Sequence, residues 1–172
     1  MKSLYLLRHA KSSWSIPGLG DQQRPLNKRG SNDAPMMGQR FKERGEHIDH
    51  IVSSPALRAH TTAEMFAQAC GFSSDAIEIE ADLYFLGSGS IEDVILAQDD
   101  ALKSLMLVFH NPDITHFANS IDYEFHVDNI PTCGLIKLSC DIDQWRDWSQ
   151  DSTGFDYFDY PKNEAEVVQC PS

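Results

Sequence analysis

Near the start of the chain an apolar run stops at a charged pair: Leu4-Tyr5-Leu6-Leu7, then Arg8-His9. Nothing polar alternates within the run. A strand of that kind has both faces covered, as parallel strands in α/β sheets do. Residues 105–109, Leu-Met-Leu-Val-Phe, repeat the pattern and end on His110. A third run, His50-Ile51-Val52-Ser53, ends at Ser54-Pro55. Chains that alternate such runs with amphipathic helices have few ways to fold.

The intervening segments are helical in pattern. Residues 27–44 carry Ala34, Met37 and Phe41 on one face, and Gly45 stands where a C-terminal glycine belongs. Pro35 fits a first turn or a bend. Residues 55–70 step through Leu57, Thr61, Met65 and Ala69 before Gly71. Residues 91–102 place Ile91, Val94, Ile95 and Leu102 inward, and a fourth helix runs from Asn111-Pro112 to about residue 121. Ser54-Pro55 and Asn111-Pro112 both read as an N-cap followed by proline at the first helical position. Weaker strands are expected at 77–80 and 134–138, with a loop at 82–90. The stretch holding Trp145, Trp148 and residues 155–160 reads as late strands at a sheet edge, and the last ten residues as frayed. The expected fold is a three-layer α/β sandwich, a mostly parallel central sheet with helices on both faces. At 172 residues it is expected to be one domain, 1–172.

Composition narrows the function. The apolar fraction of 41% and charged fraction of 23% suit a soluble globular protein. A net charge of −12 argues against nucleic acid or an anionic membrane as partner, since both require a basic face. No apolar run approaches the ~20 residues of a membrane span. The run before Arg8 is too short for a signal-peptide core, so a cytoplasmic location is expected. Cys70, Cys133, Cys140 and Cys170 show neither CxxC pairing nor zinc-ligand spacing and are expected as free thiols. No cofactor or metal is expected. His47, His50, His60, His116 and His126 read as solvated or structural.

In parallel sheets, ligands bind beyond the carboxyl ends of the strands. That rule gathers Arg8 and His9, Arg58 in the first turn after the second strand, and His110 around one crevice. Helical side chains lean toward the helix N-terminus, which brings Arg58 back over the strand end. Arginines, histidines and helix N-termini together make an anion site, and the guanidinium fork matches phosphate. There is no P-loop and no magnesium motif. The expected nucleophile is therefore a neutral imidazole, His9, attacking phosphorus to give a phosphohistidine that water then hydrolyses. Arg8, Arg58 and His110 would stabilise charge on the phosphoryl oxygens. Ser12 either donates to phosphate or caps the turn. Residues 10–25, with Pro17, Gly18, Gly20 and Pro25, form a loop long enough to be functional.

These residues resemble a known family. Arg8-His9-Ala10-Lys11-Ser12-Ser13-Trp14 is similar to the Arg-His-Gly signature of the histidine phosphatase (phosphoglycerate mutase-like) superfamily. Residues 53–64 resemble its second motif, and His110-Asn111-Pro112 its third. Arg24-Pro25-Leu26-Asn27-Lys28-Arg29-Gly30 and the Tyr84 region resemble SixA-type phosphohistidine phosphatases in particular. The resemblance implies a mixed sheet flanked by helices, His9 as the phosphorylated residue, Arg8, Arg58 and His110 as the phosphate pocket, and Arg24 as a further substrate contact. Ala10 stands where the family has glycine, adding a methyl group beside the nucleophile. Asp113 adds a negative charge near the anion site.

Superfamily members that cleave alkyl phosphoesters use an acidic residue in the region of residues 82–92. Asp82, Glu92 and Asp93 are available there, but Tyr84-Phe85-Leu86 fills the usual place. A phosphohistidine leaving group is an imidazole, which needs no strong enzymatic acid, whereas an alkoxide does. The expected activity is therefore removal of phosphate from phosphohistidine in a protein. The alternatives are a phosphatase for a small phosphorylated molecule, or a phosphate-binding module with weakened turnover. A mutase fits least, because no insertion is present to enclose a bisphosphorylated substrate.

Overall fold

The computed structural model describes residues 1–163 and 168–169. Its strands are β1 (Lys2–Arg8), β2 (His50–Ser53), β3 (Glu78–Ile79), β4 (Ser104–Phe109), β5 (Leu135–Cys140), β6 (Thr153–Asp159) and β7 (Val168–Gln169). Its helices are α1 (Lys28–Glu43), α2 (Leu57–Cys70), α3 (Ser88–Leu96) and α4 (Asp113–Ile121). The sheet order is β3-β2-β4-β1-β5-β6-β7. The four strands from β3 to β1 are mutually parallel, whereas every pairing from β1 through β5 and β6 to β7 is antiparallel. The sheet is thus mixed, and its site-forming half is the parallel half.

Register follows from burial. β1 is covered on both faces, so its odd and even residues enter different cores. Leu4 and Leu6 join Leu105, Leu107 and Phe109 beneath α3 and α4. Tyr5 and Leu7 join Met106 and Val108 beneath α1 and α2. Arg8 pairs with Phe109 and Ser53 with Val108, so the three strands end together at one edge of the sheet.

Several elements differ from the sequence pattern. Neither Ser54-Pro55 nor Asn111-Pro112 opens a helix by capping. α2 begins at Leu57, and α4 at Asp113 after a cis Asn111–Pro112 bond. The Ser54 and Asn111 side chains bond to other segments instead. α3 ends at Leu96, six residues early, because the Asp99 carboxylate accepts the Ala101 N–H and closes a turn. Pro35 lies inside α1, not in its first turn. Trp145 and Trp148 are not edge-strand residues. They are buried in the core around a 3₁₀ turn, Trp145 donating to the Leu102 carbonyl at 3.0 Å and Trp148 stacking on Phe117. The expected fraying of the last ten residues falls mainly outside the described residues; within them, Gln169 and Val168 pair with Tyr157 and Phe158.

The loop between β1 and α1 is closed at its base. The Asn27 N–H donates to the Lys11 carbonyl, the Ser13 N–H to the Pro25 carbonyl, and Ser12 pairs with Leu26. Asn27 also caps α1, its side chain accepting from the Gly30 N–H. Gly30 faces Lys11 so closely that a Cβ there would sit 2.2 Å from the Lys11 carbonyl oxygen. Backbone cannot swing aside as a side-chain tip can. Gly30→Ala is therefore expected to destabilise the fold by about 1–3 kcal/mol, as overpacking does, read as a lowered urea midpoint. Gly20→Ala, whose Cβ would meet nothing closer than 3.7 Å, is the control and leaves the midpoint nearly unchanged.

Candidate active site

Beyond the shared strand ends lies a cavity of about 240 Å³, lined by Arg8, His9, Ser12, Arg24 and Arg58 among others. His9 follows β1 directly. Its N–H donates to the Phe109 carbonyl and its own carbonyl accepts from the Cys133 N–H, so the backbone is held on both sides. The ring is 7% exposed, and Nδ1 lies 2.8 Å from the Ala10 carbonyl oxygen. A carbonyl only accepts, so Nδ1 carries the ring proton and the lone pair stands on Nε2. Burial, reinforced by the Arg58, Arg8 and Arg24 charges, pushes the His9 pKa down to about 3 despite the Ala10 bond. The ring is neutral at pH 7, as a nucleophile must be.

The arginines are held from behind. Arg8 donates through Nη1 to the Ile130 carbonyl at 2.7 Å, and its buried Nε has no partner among the described residues. Arg58, 2% exposed, donates through Nη1 to the Asp21 carbonyl and through Nη2 to the Asp21 carboxylate. Its Nε is likewise buried and unpartnered. A buried unpaired N–H is costly, so two beside one cavity mark a place made for acceptors. Arg24 spends Nε on Asp21 and Nη1 on Ser12 Oγ, at 3.2 and 2.7 Å, and its head stacks 3.6 Å from the exposed Trp14 ring. Ser12 thus serves Arg24 directly, and both still line the cavity.

His110 lies beside His9, with ring centroids 5.2 Å apart, but does not line the cavity. Phe85 stacks over it at 4.8 Å and Tyr84 meets it edge-on at 5.5 Å. Its Nε2 is 2.6 Å from Ser54 Oγ, which itself accepts from the Ala56 N–H. The hydroxyl proton is therefore available to Nε2, leaving Nδ1 as the ring's donor, buried and unpartnered. Burial, then the neighbouring His9, Arg58 and Arg8, lowers the His110 pKa to about 2 although Asp21 opposes this.

Three details add to the sequence reading. Ala10 does not face the cavity: it is fully buried among Leu7, Ala34 and Met37, and its N–H donates to Thr62 Oγ1. The Asp113 carboxylate is engaged by the Gly87 N–H at 3.2 Å. None of Asp82, Glu92 and Asp93 lines the cavity; Glu92 lies beside Gln150 and Trp148 in another depression. The carboxylate that does line it is Asp21, which no spacing singles out; the one local signal is an acid three residues before Arg24 in a long loop. Burial works against Asp21's ionisation, but Tyr84, Arg58 and Arg24 outweigh it and hold the carboxyl at about 2. Among the described residues no group of histidine, cysteine and acidic side chains is placed to hold a metal ion, and no helix is long and apolar enough to cross a membrane.

A nucleophile-competent histidine at the end of a parallel strand, ringed by arginines, points to phosphoryl chemistry, and sequence comparison agrees. The chain belongs to the histidine phosphatase superfamily, branch 1, whose family model matches residues 4–105. Within it, the likeness is to SixA-type members. A protein from Agrobacterium tumefaciens provisionally described as the phosphohistidine phosphatase SixA shares 28% identity at a TM-score of 0.76, over 93% of this chain and 98% of that one. The protein histidine phosphatase SixA complexed with tungstate has the same fold, at a TM-score of 0.78 and 18% identity over 94% of this chain and 98% of its own. An uncharacterised Picosynechococcus protein is 31% identical over 140 residues, 78% of this chain and 83% of that one. A Citrobacter koseri protein named "Probable phosphoglycerate mutase GpmB" is 38% identical over 96 residues, 54% of this chain and 41% of its own length. The chain therefore spans less than half of that mutase-named relative. Family and fold together support a phosphatase.

Two buried neutral histidines make stability depend on pH. In the unfolded chain both would take up protons below about 6.5; in the folded chain they do so only near 3 and 2. The unfolded state binds more protons across that interval, so stability falls as pH drops below about 6.5. Urea midpoints measured between pH 7 and 4 are expected to fall, and to fall less steeply in the double variant His9→Asn, His110→Asn.

Proposed function

We propose that this protein is a phosphatase that passes through a phosphohistidine on His9 and removes phosphate from phosphohistidine in a protein. The observation that carries the reading is the state of the carboxylate that lines the cavity among the described residues: Asp21 is ionised and tied to two arginines, so it has no proton to give. An alkyl phosphate would leave as an alkoxide and needs a proton from an acid. A phosphorylated imidazole whose far nitrogen is protonated leaves as neutral imidazole and needs none.

The steps balance on that basis. The His9 Nε2 lone pair attacks phosphorus in line; the new P–N bond forms as the old one breaks, and the substrate imidazole departs with its electron pair. His9 then carries phosphate on Nε2 and a proton on Nδ1, a cation stabilised by the Ala10 carbonyl. Arg8 Nε and Arg58 Nε, the unpartnered donors of cavity-lining residues, are assigned to the phosphoryl oxygens, and His110 Nδ1, which lies outside the lining, joins them once the Phe85 ring uncovers it. Water attacks next, the P–Nε2 bond breaks, inorganic phosphate forms with release of a proton to solvent, and His9 returns to neutral. Arg24, whose Nη2 has no partner among the described residues, and Ser12 are assigned to the substrate side. Cavity size supports a protein-borne group. About 240 Å³ suits a phosphoryl group better than a whole ligand, since small-molecule sites run to roughly 300–1,000 Å³.

Incubation with a ³²P-phosphohistidine protein is expected to leave acid-labile label on the wild type and none on His9→Ala. Turnover of that protein should exceed turnover of a plain alkyl phosphate by at least two orders of magnitude, the usual worth of a general acid. Labelling of His9→Ala would overturn the nucleophile. Equal turnover of the two substrates would favour a phosphatase for small phosphomonoesters.

A further inference from the structure

Among the described residues, Asp21 is the one carboxylate lining a cavity otherwise built for anions, and nothing described so far requires it there. Its contacts are specific. The backbone carbonyl accepts from Arg58 Nη1 at 2.7 Å, and carboxylate Oδ2 accepts from Arg58 Nη2 at 3.0 Å and from the Tyr84 hydroxyl at 2.6 Å. Oδ1 accepts from Arg24 Nε at 3.2 Å. Three segments far apart in sequence meet on this one side chain.

A guanidinium offers two useful edges to an anion. One is the end edge, made by Nη1 and Nη2. The other is the side edge, made by Nε and the second Nη2 hydrogen. Asp21 takes the end edge of Arg58 completely, with one backbone and one carboxylate oxygen. It leaves the side edge, and Arg58 Nε is the buried, unpartnered atom. No other residue accepts a hydrogen bond from this guanidinium among the described residues, so no other hydrogen bond fixes its rotation.

On the reading of the cavity as a phosphate site, we propose that Asp21 is a positioning residue. It clamps the end edge of Arg58 so that the side edge is presented to the phosphoryl group. Two other roles fit the geometry less well. A general acid must hold a proton, and Asp21 is surrounded by donors that favour its anion. A carboxylate that merely competed with phosphate would occupy the edge nearest the nucleophile and leave no buried N–H unpaired. Asp21 is itself anchored, through Arg24 to Ser12 and through Tyr84 to the segment that covers His110. It therefore transmits the position of two loops to one arginine.

The test uses the full chain, with orthovanadate as probe and p-nitrophenyl phosphate as reporter substrate. Asp21→Asn keeps the shape but loses the charge. It is expected to weaken orthovanadate inhibition roughly tenfold, the scale of one well-placed charge-assisted hydrogen bond. It should lower kcat more than it raises KM, at an unchanged melting temperature. Tyr84→Phe, which removes one anchor, should move the same quantities in the same direction by less. The decisive comparison is a double-mutant cycle. If Asp21 acts through Arg58, Asp21→Asn adds almost nothing to the orthovanadate loss already caused by Arg58→Ala. Additive losses, or tighter orthovanadate binding by Asp21→Asn alone, would overturn the positioning role. Failure of the wild type to bind orthovanadate at all would instead overturn the phosphate site on which the role rests.

Discussion

The parallel register of β1, β4 and β2 decides where everything else must go. Because Arg8 pairs with Phe109 and Ser53 with Val108, three chain segments leave the sheet at one level and turn over the same edge. The register is not free to slip. β1 and β4 are buried on both faces, and a shift of one residue would exchange the sets of side chains that fill two different cores. The positions of His9, Ser54 and His110 relative to one another are thus set by hydrophobic packing, without any contact among the three being needed to hold them there.

This explains which parts of the structure were legible in the sequence. Residues 4–7 and 105–109 are apolar runs whose meaning does not depend on context. The convergence of Arg8, His9, Arg58 and His110 follows from them by topology alone. What could not be read depends on contacts between segments. Asp21 is an unremarkable acid in an aperiodic loop until Arg58 and Tyr84 arrive beside it. Phe85 lies in a loop of the expected place, yet its stacking on His110 involves a positive φ that no pattern announces. Trp145 and Trp148 suggested strands because aromatic residues fit any half-buried surface, and here that surface is the core under α3 and α4. The two Ser-Pro and Asn-Pro pairs carried the right local chemistry for caps, but their side chains found stronger partners elsewhere in the fold.

The electrostatics are a matter of scale. A chain of net charge −12 holds three arginines around one buried histidine. The global charge does little at that range, since screening limits exposed charges to about 8–10 Å. Inside the cavity the balance is local: burial and then the neighbouring cations lower the His9 pKa, and Asp21 offsets part of their charge. The same arrangement leaves the His9 imidazole neutral and Arg58 and Arg24 bonded to Asp21. A substrate phosphoryl group would bring the remaining negative charge.

The loop between Lys11 and Asn27 is sewn shut at its base, while its outer turn around Ile16, Gly18 and Leu19 is exposed. Length added at such a tip changes closure entropy only slightly. Residues there can therefore be inserted, deleted or exchanged without disturbing the pairing that holds Ser12 and Arg24 or the strand that ends in His9. The architecture separates a cavity fixed by the strand ends from a replaceable rim. Relatives could diverge in what they admit to the cavity while keeping the same chemistry at its floor, and an engineer could graft recognition segments onto this turn with the sheet as an unaltered chassis.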